Sequence, residues 1–383
     1  SVVNYTMVVF QALSWEARDG EDEHLISIFG KTEDGKSVCL TTAFTPYFFV
    51  KLPSGIDSQK VQRIYNILSD KCKDSLVAYS LMKSKDVWGF QNNEEFAFMK
   101  INFKDLQARR LVDSFLRRPL DRTPELFELF GVRNVKVYES NLDPVLRLMH
   151  RTGIQSTGWL DSGEKCVRSH LANVDIDLFC NDWTTLKPVA RDDIAPFVVA
   201  SVDIECNSST GKFPDANIPG DACFQIAISL CKFGSDEPYD KTCLCYKQTD
   251  PTLEGCDIRS YATEREMLEA FQKYLHKKDV DIITGWNIFG FDMEYIYKRA
   301  QINRCHYDFY NLGKLKDTDS ELVIKKLSSS ALGDNLLKLL PMSGRFIFDL
   351  FHEVKKGYKL DSYKLDSVSK LYLGDQKIDM APK

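Results

Sequence analysis

Apolar and β-branched runs at residues 24–29 and 37–42 flank a polar stretch with an Asp34-Gly35 turn pair, which predicts a β-hairpin. Apolar residues recurring every three to four positions predict helices over 58–69 and 104–118, with strands at 96–103 and 132–138. Asp143-Pro144 followed by Gly153 marks a further helix: the acid accepts the first free amides, Pro tolerates the first helical position, and Gly supplies the left-handed exit. Residues 184–196, with two prolines and several charges, predict a connection that divides the chain into 1–196 and 197–383. After it the rhythm changes to strands at 197–205, 224–231 and 243–247, then a helix at 263–276 opened by the capping box Thr263-x-x-Glu266. A buried strand at 279–284 and a helix at 291–300 follow, and polar residues 313–342 predict a protruding hairpin or loop.

A chain of 383 residues with 44% hydrophobic and 27% charged side chains is an ordinary globular composition, enough for two or three domains. No run approaches the roughly 18 apolar residues of a membrane span, so no membrane partner is expected. The first residues lack the pattern of a signal peptide, and the absent initiator Met suggests a trimmed chain or fragment. Eleven cysteines, an odd number with no C-x-x-C pair, fit neither a disulfide framework nor a zinc ribbon and point to a reduced intracellular compartment. The net charge of −5 announces no polyanion partner for the chain as a whole, so any nucleic-acid groove must be local. Two basic clusters qualify, Arg109, Arg110, Arg117, Arg118 and Lys355, Lys356, Lys359, Lys364, and each is equally readable as a solvated face.

Two motifs mislead. Residues 30–37 fit the phosphate-loop expression G-x-x-x-x-G-K-[ST], but such a loop must open a helix, and here a β-branched run follows while Glu33 and Asp34 would place negative charge in the cradle. Asp317-Thr-Asp-Ser320 echoes a polymerase palm motif without the hydrophobic strand around it.

Asp203-Ile-Glu205 ends the apolar run 197–202. Side chains two apart on a strand share a face, so the two carboxylates stand close together, an arrangement that a divalent cation relieves. The spacing is weak by itself, since a chain this acidic holds about eight acid-x-acid pairs by chance. The run Thr284-Gly-Trp-Asn287-Ile-Phe-Gly-Phe291-Asp292 is far more specific. It puts Asn287 in a strand-to-helix turn and Asp292 on the first helical turn facing the strand tips; helix capping by Asn287 and Asp292 is the plainer alternative.

Ser201-Val-Asp203-Ile-Glu205 with Gly211-Lys-Phe-Pro214, and Thr284 to Asp292, resemble the first and second exonuclease motifs of family B DNA polymerases, closest to the delta-like branch of eukaryotes and large eukaryotic DNA viruses. The likeness extends to Phe29–Val38, Pro46–Phe49, Tyr138–Asp143, Gly158–Leu160, Gly344-Arg345-x-x-x-Asp349 and 363–374, nearly the whole chain. The resemblance implies an α/β chain, α+β overall. A mixed amino-terminal domain, 1–196, would precede a ribonuclease H-like 3′→5′ exonuclease domain, 197–383, whose opening order of three strands, helix, strand, helix agrees with the pattern above. It further implies a site in which Asp203, Glu205 and Asp292 hold two Mg²⁺ ions, with Mn²⁺ an alternative, while Asn287 and Phe291 position the last nucleotides of a frayed single strand. Primer-template DNA, a sliding clamp and accessory subunits are the implied partners, in the nucleus or at a viral replication site. Residues 313–342 occupy the place of a hairpin that helps move the primer end.

The third exonuclease motif, Tyr-x-x-x-Asp, is missing: no tyrosine after Asp292 has an Asp four residues on, and Tyr358-x-x-Asp361 and Tyr363-x-x-Asp366 are each one residue short. The palm signatures are missing too. The expectation is therefore the amino-terminal and incomplete exonuclease portion of a replicative polymerase, truncated before its last helix and weak or inactive alone. Asp349 is the one local carboxylate available as a substitute ligand, a buried or capping acid being the plainer role. A free-standing exonuclease of the same fold and a non-catalytic nucleic-acid-binding scaffold are the competing readings.

Overall fold

The computed structural model describes residues 6–73, 75–329 and 333–375. Its first half holds a seven-stranded sheet and a four-stranded one. The seven-stranded sheet is centred on the antiparallel strands Val9–Asp19, His24–Lys31 and Ser37–Ala43, the last two being the predicted hairpin. The four-stranded sheet runs in the order Leu76–Ser84, Phe96–Phe103, Tyr47–Lys51, Val137–Tyr138 and is backed by helices Ser58–Lys71 and Leu106–Leu116. Asp143 accepts from the Val145 amide at 2.7 Å, and Gly153 ends that helix at φ 75°, as its residue types require.

Three expectations need correction. The strand predicted over 132–138 shrinks to Val137–Tyr138, because Gly131 is the left-handed exit of an unpredicted helix, Pro124–Phe130, and the Arg133 carbonyl turns back to accept from the Leu120 amide at 2.8 Å. The connection 184–196 contains the short strand Lys187–Val189, paired with Trp159–Asp161 at a sheet edge where a proline is tolerated. The second half's sheet has two strands more than predicted, the polar Asp257–Tyr261 at one edge and Phe346–Asp349, beside Ile282–Gly285, at the other.

That second sheet has six strands in the order Asp257–Tyr261, Asp240–Tyr246, Cys223–Lys232, Val198–Cys206, Ile282–Gly285, Phe346–Asp349. Val198–Cys206 is central, antiparallel to Cys223–Lys232 and parallel to Ile282–Gly285. Its even-numbered residues, Val198 to Ile204, are buried against helices Glu264–Lys277 and Asp292–Ile302 through Met267, Phe271, Met293 and Ile296. The odd-numbered Ser201, Asp203 and Glu205 are exposed on the other face. The strand is thus buried on one face at its acidic end, not on both as its apolar start implies. The Thr263–Glu266 capping box forms as expected. Residues 313–342 include a hairpin, Val323–Ser329 paired with Gly333–Leu339, whose tip at 330–332 lies outside the described residues.

The two halves share a buried charge network. Lys31 Nζ lies 2.6 Å from Asp281 Oδ2 and 3.1 Å from Asp279 Oδ2, and Lys314 Nζ lies 2.6 and 2.9 Å from the remaining oxygens of the same two acids. Asp281 also accepts from the Val198 amide at 2.8 Å, which ties the network to the start of the central strand.

Candidate active site

The strand Ile282–Gly285 runs parallel to the central strand and ends in a turn that must deliver a helix back over the strand tips. Gly285 lets the strands approach: a Cβ there would lie 2.5 Å from the Val202 carbonyl oxygen. Asn287 adopts φ 60°, a left-handed conformation that Asn tolerates better than most residues. Its carbonyl accepts from the amides of Gly290 at 2.9 Å and Phe291 at 3.2 Å, and its side-chain amide lies where a Cβ on Gly290 would be. The N-cap position of the helix Asp292–Ile302 is Phe291, whose side chain makes no capping hydrogen bond, and Asn287 meets the helix start through its backbone carbonyl.

Asp349 holds this turn from outside. Its carboxylate is buried and accepts from the Asn287 amide at 2.8 Å, the Phe289 amide at 2.9 Å and the Phe351 amide at 3.0 Å, the last at the start of helix Leu350–Gly357. Both oxygens are thus committed to backbone donors, which matches the plainer role and leaves this acid poorly disposed as a metal ligand.

The turn brings Asp292 to Asp203. Together with Glu205, Phe213, Trp286, Asn287, Phe291 and Leu365 they line a cleft of about 370 Å³ at the end of the central strand. Asp292 is buried, and its carboxyl is pushed up to about 7, first by burial, then by the negative charge of Asp203 and, further off, of Asp349; the amides of Asp292 and Ile204 pull the other way. Five residues expected from sequence to share a site, Asp203, Glu205, Asn287, Phe291 and Asp292, therefore do share one cleft.

The donor set is three carboxylates and no softer ligand, which suits hard divalent cations such as Mg²⁺ or Mn²⁺. Among the described residues no group of three His, Cys, Asp or Glu side chains is drawn tightly enough together to hold an ion. Like charges spread apart, and Asp203 and Glu205 are exposed on the strand face. The residues thus fit the metal chemistry, with a proton on Asp292 as the competitor for the same oxygens.

Aromatic rings form one wall. Phe291 lies edge-on to Phe213 with ring centroids 5.4 Å apart and tilts against Tyr295 at 4.9 Å. Phe213 is 78% exposed, a conspicuous placement for a phenylalanine outside a binding site. Sequence reasoning assigned it no role although it lies in Gly211–Pro214; an exposed aromatic between Lys and Pro was the available signal. The loop carrying it is pinned from below. Arg299 pairs with Glu264, with Nε to Oε1 at 2.8 Å, and donates to the carbonyls of Ala216 at 3.2 Å and Ile218 at 2.8 Å, while the Tyr295 hydroxyl donates to the Asp221 carbonyl at 2.9 Å. The hairpin also meets the site turn, its Lys338 amide donating to the Phe289 carbonyl at 3.0 Å.

Residues 135–368 match the family model for the exonuclease domain of family B DNA polymerases. The chain is 31% identical over 387 aligned residues to a DNA polymerase of Paramecium bursaria Chlorella virus NY2A, with 98% of this chain and 40% of that protein covered. It is 28% identical over 382 residues to the DNA polymerase delta catalytic subunit of Schizosaccharomyces pombe, covering 97% of this chain and 35% of the relative. The family B DNA polymerase of the archaeon Pyrobaculum calidifontis shares the fold at a TM-score of 0.60 and 18% identity, over 95% of this chain and 39% of that one. The chain thus spans well under half the length of each of these three proteins.

Proposed function

The chain belongs to the family B DNA polymerases through their exonuclease domain, and from that premise we propose that it is the amino-terminal and 3′→5′ exonuclease portion of a replicative DNA-directed DNA polymerase. The observation that carries the reading is the cleft in which a buried, proton-retaining Asp292 faces Asp203 beneath an aromatic wall. Family B exonuclease domains are metal-dependent nucleases. Asp203, Glu205 and Asp292 are the proposed ligands, and a pair of Mg²⁺ or Mn²⁺ ions bound there supplies charge stabilisation to the attacking and departing oxygens of a phosphodiester.

The protein's own residues do the rest. Phe291, braced by Tyr295 and flanked by Phe213, offers a stacking surface that an unpaired base can use and a paired one cannot reach, which selects frayed ends. Asn287, held in its left-handed turn by Asp349, lines the same cleft and is the proposed hydrogen-bonding group for the terminal nucleotide. Asp292 would have to give up its proton before its carboxylate could serve as a ligand. The proposed boundary between the two domains falls near residue 196, and the hairpin, joined to the site turn at Phe289, serves to move the primer end. A sliding clamp and accessory subunits in the complete enzyme, and a nuclear or viral replication site, complete the proposal.

The test is digestion of a 5′-labelled single strand with Mg²⁺ or Mn²⁺. The complete polymerase should lose at least about a hundredfold in rate on Asp203→Ala, and the 383-residue chain, which has no Tyr-x-x-x-Asp after Asp292, should be weak at best. Cleavage that survives Asp203→Ala, or brisk cleavage by the chain alone, overturns the assignment of the site or of its incompleteness.

A further inference from the structure

The two basic clusters of the sequence have different fates. Arg109 is buried and donates to the Leu142 carbonyl at 2.7 Å, and Arg117 pairs with Asp113 at 2.9 Å and donates to the Ser140 hydroxyl at 2.9 Å, so half of the first cluster is spent on structure. Lys356, Lys359 and Lys364 are exposed, and none makes an ion pair among the described residues. In a chain of net charge −5, residues 355–366 carry four lysines against Asp361 and Asp366, a local excess of positive charge.

That place adjoins the cleft. Helix Leu350–Gly357 begins beside it, with Phe351 edge-on to Trp286 at 5.8 Å, and carries Lys355 and Lys356 in its last turn. The chain then turns, and the Tyr363 hydroxyl fixes the turn by donating to the Tyr358 carbonyl at 2.8 Å and accepting from the Leu360 amide at 3.2 Å. It returns to the cleft at Leu365, which lines it, so Lys364 stands next to a cleft residue and Lys359 on the braced loop that leads back to it. Tyr358 and Tyr372, half-exposed and edge-on at 5.5 Å, add aromatic surface beside the cations. Cations that track phosphates, interleaved with rings that take bases, are the elements of a sequence-independent single-strand surface.

We infer that Lys356, Lys359 and Lys364 form a phosphate track for the nucleotides upstream of the 3′ end that occupies the cleft. The ligand is the phosphodiester backbone of an unpaired strand, without base preference. The inference rests on the exonuclease reading of the cleft. It adds that the strand leaves the cleft past Leu365, across the loop 358–364.

The test is fluorescence anisotropy of the 383-residue chain with 5′-labelled oligothymidylates of about four and about twelve nucleotides, Ca²⁺ replacing Mg²⁺ so that the probe is not consumed. Changing all three lysines to Ala should weaken the longer strand about tenfold or more and flatten its salt dependence by about two in log–log slope, at about 0.7 per lost contact on a single strand. The shorter strand should bind as before, and changing the three lysines to Arg should restore the longer one. Unchanged binding of the longer strand overturns the track, and so does equal weakening of both lengths, which would place the cations in the cleft itself. Phe291→Ala reports separately: if it weakens neither length, the reading of the cleft fails while the lysine result still stands on its own.

Discussion

Replacing the acid at the centre of the site should make the protein more stable. In Asp292 the folded state holds the carboxyl proton to about pH 7 against an ordinary value of 3.8. The unfolded chain ionises this group first, so stability falls as pH rises from about 4 to about 7 and then levels off, the reverse of an acid held by a cation. At about 1.36 kcal/mol per unit, the shift corresponds to a penalty of about 4 kcal/mol above pH 7, an upper bound because the site can relax. Asn keeps the shape and removes the charge. If half of the penalty is recovered, Asp292→Asn gains about 2 kcal/mol near pH 8, or roughly 4 °C or more in melting temperature for a unit of this size. The measurement is thermal unfolding in chelator near pH 8 and near pH 5, and the gain should fall to less than about half at the lower value, vanishing only below about pH 4. A divalent cation should act oppositely, raising the melting temperature of the wild type near pH 8 and doing little for the variant. An Asn variant that melts at or below the wild type near pH 8 in chelator, or a gain that does not change with pH, would refute the claim that buried like charge is stored at Asp292.

Three further outcomes follow from the same geometry. Arg299→Met strands the Glu264 carboxylate in the core and frees the carbonyls of Ala216 and Ile218, so urea unfolding should show a loss of about 3 to 5 kcal/mol. Gly290→Ala drives a methyl group into the Asn287 amide; it should weaken oligonucleotide binding about tenfold in anisotropy titrations while stability falls by only about 1 to 3 kcal/mol. Asp349→Ala removes the acceptor of three backbone amides, two of them in the site turn, and should cost about 3 kcal/mol in denaturant titrations along with binding, whereas Asp349→Asn, which keeps an acceptor oxygen, should lose less.

What could be read from the sequence was what neighbours in the chain decide. Asp203 and Glu205 share a face because strand side chains alternate, and Asn287 and Asp292 sit on a turn and a first helical turn because Gly285 and Gly290 leave room there and nowhere else nearby. Strands at 96–103 and 197–205 were legible because their apolar residues are buried where the pattern says. The edge strand Asp257–Tyr261 was not, since a strand exposed at an edge needs no apolar alternation, and the short strand through Pro188 hid behind its proline. The grip of Asp349 on Asn287 spans 62 residues, and no local pattern carries it.

The false phosphate loop shows the same limit from the other side. Its letters fit, yet the motif's own lysine, Lys36, pairs with Asp34 of the same turn at 3.0 Å, while Lys31, at a variable position, is 1% exposed and shares its ammonium between Asp279 and Asp281, some 250 residues away. A phosphate cradle must be free of negative charge, whereas Lys36 faces an acid of its own turn and Lys31 is spent on two carboxylates inside the protein. Since Asp281 also holds the amide that starts the central strand, the hairpin that mimics a nucleotide site is one of the places where the first half of the chain is fastened to the strand bearing Asp203 and Glu205. Lys31 therefore positions the proposed metal-binding strand from behind while touching no ligand, and its local sequence could not have shown that, because both of its partners lie in the other half of the chain.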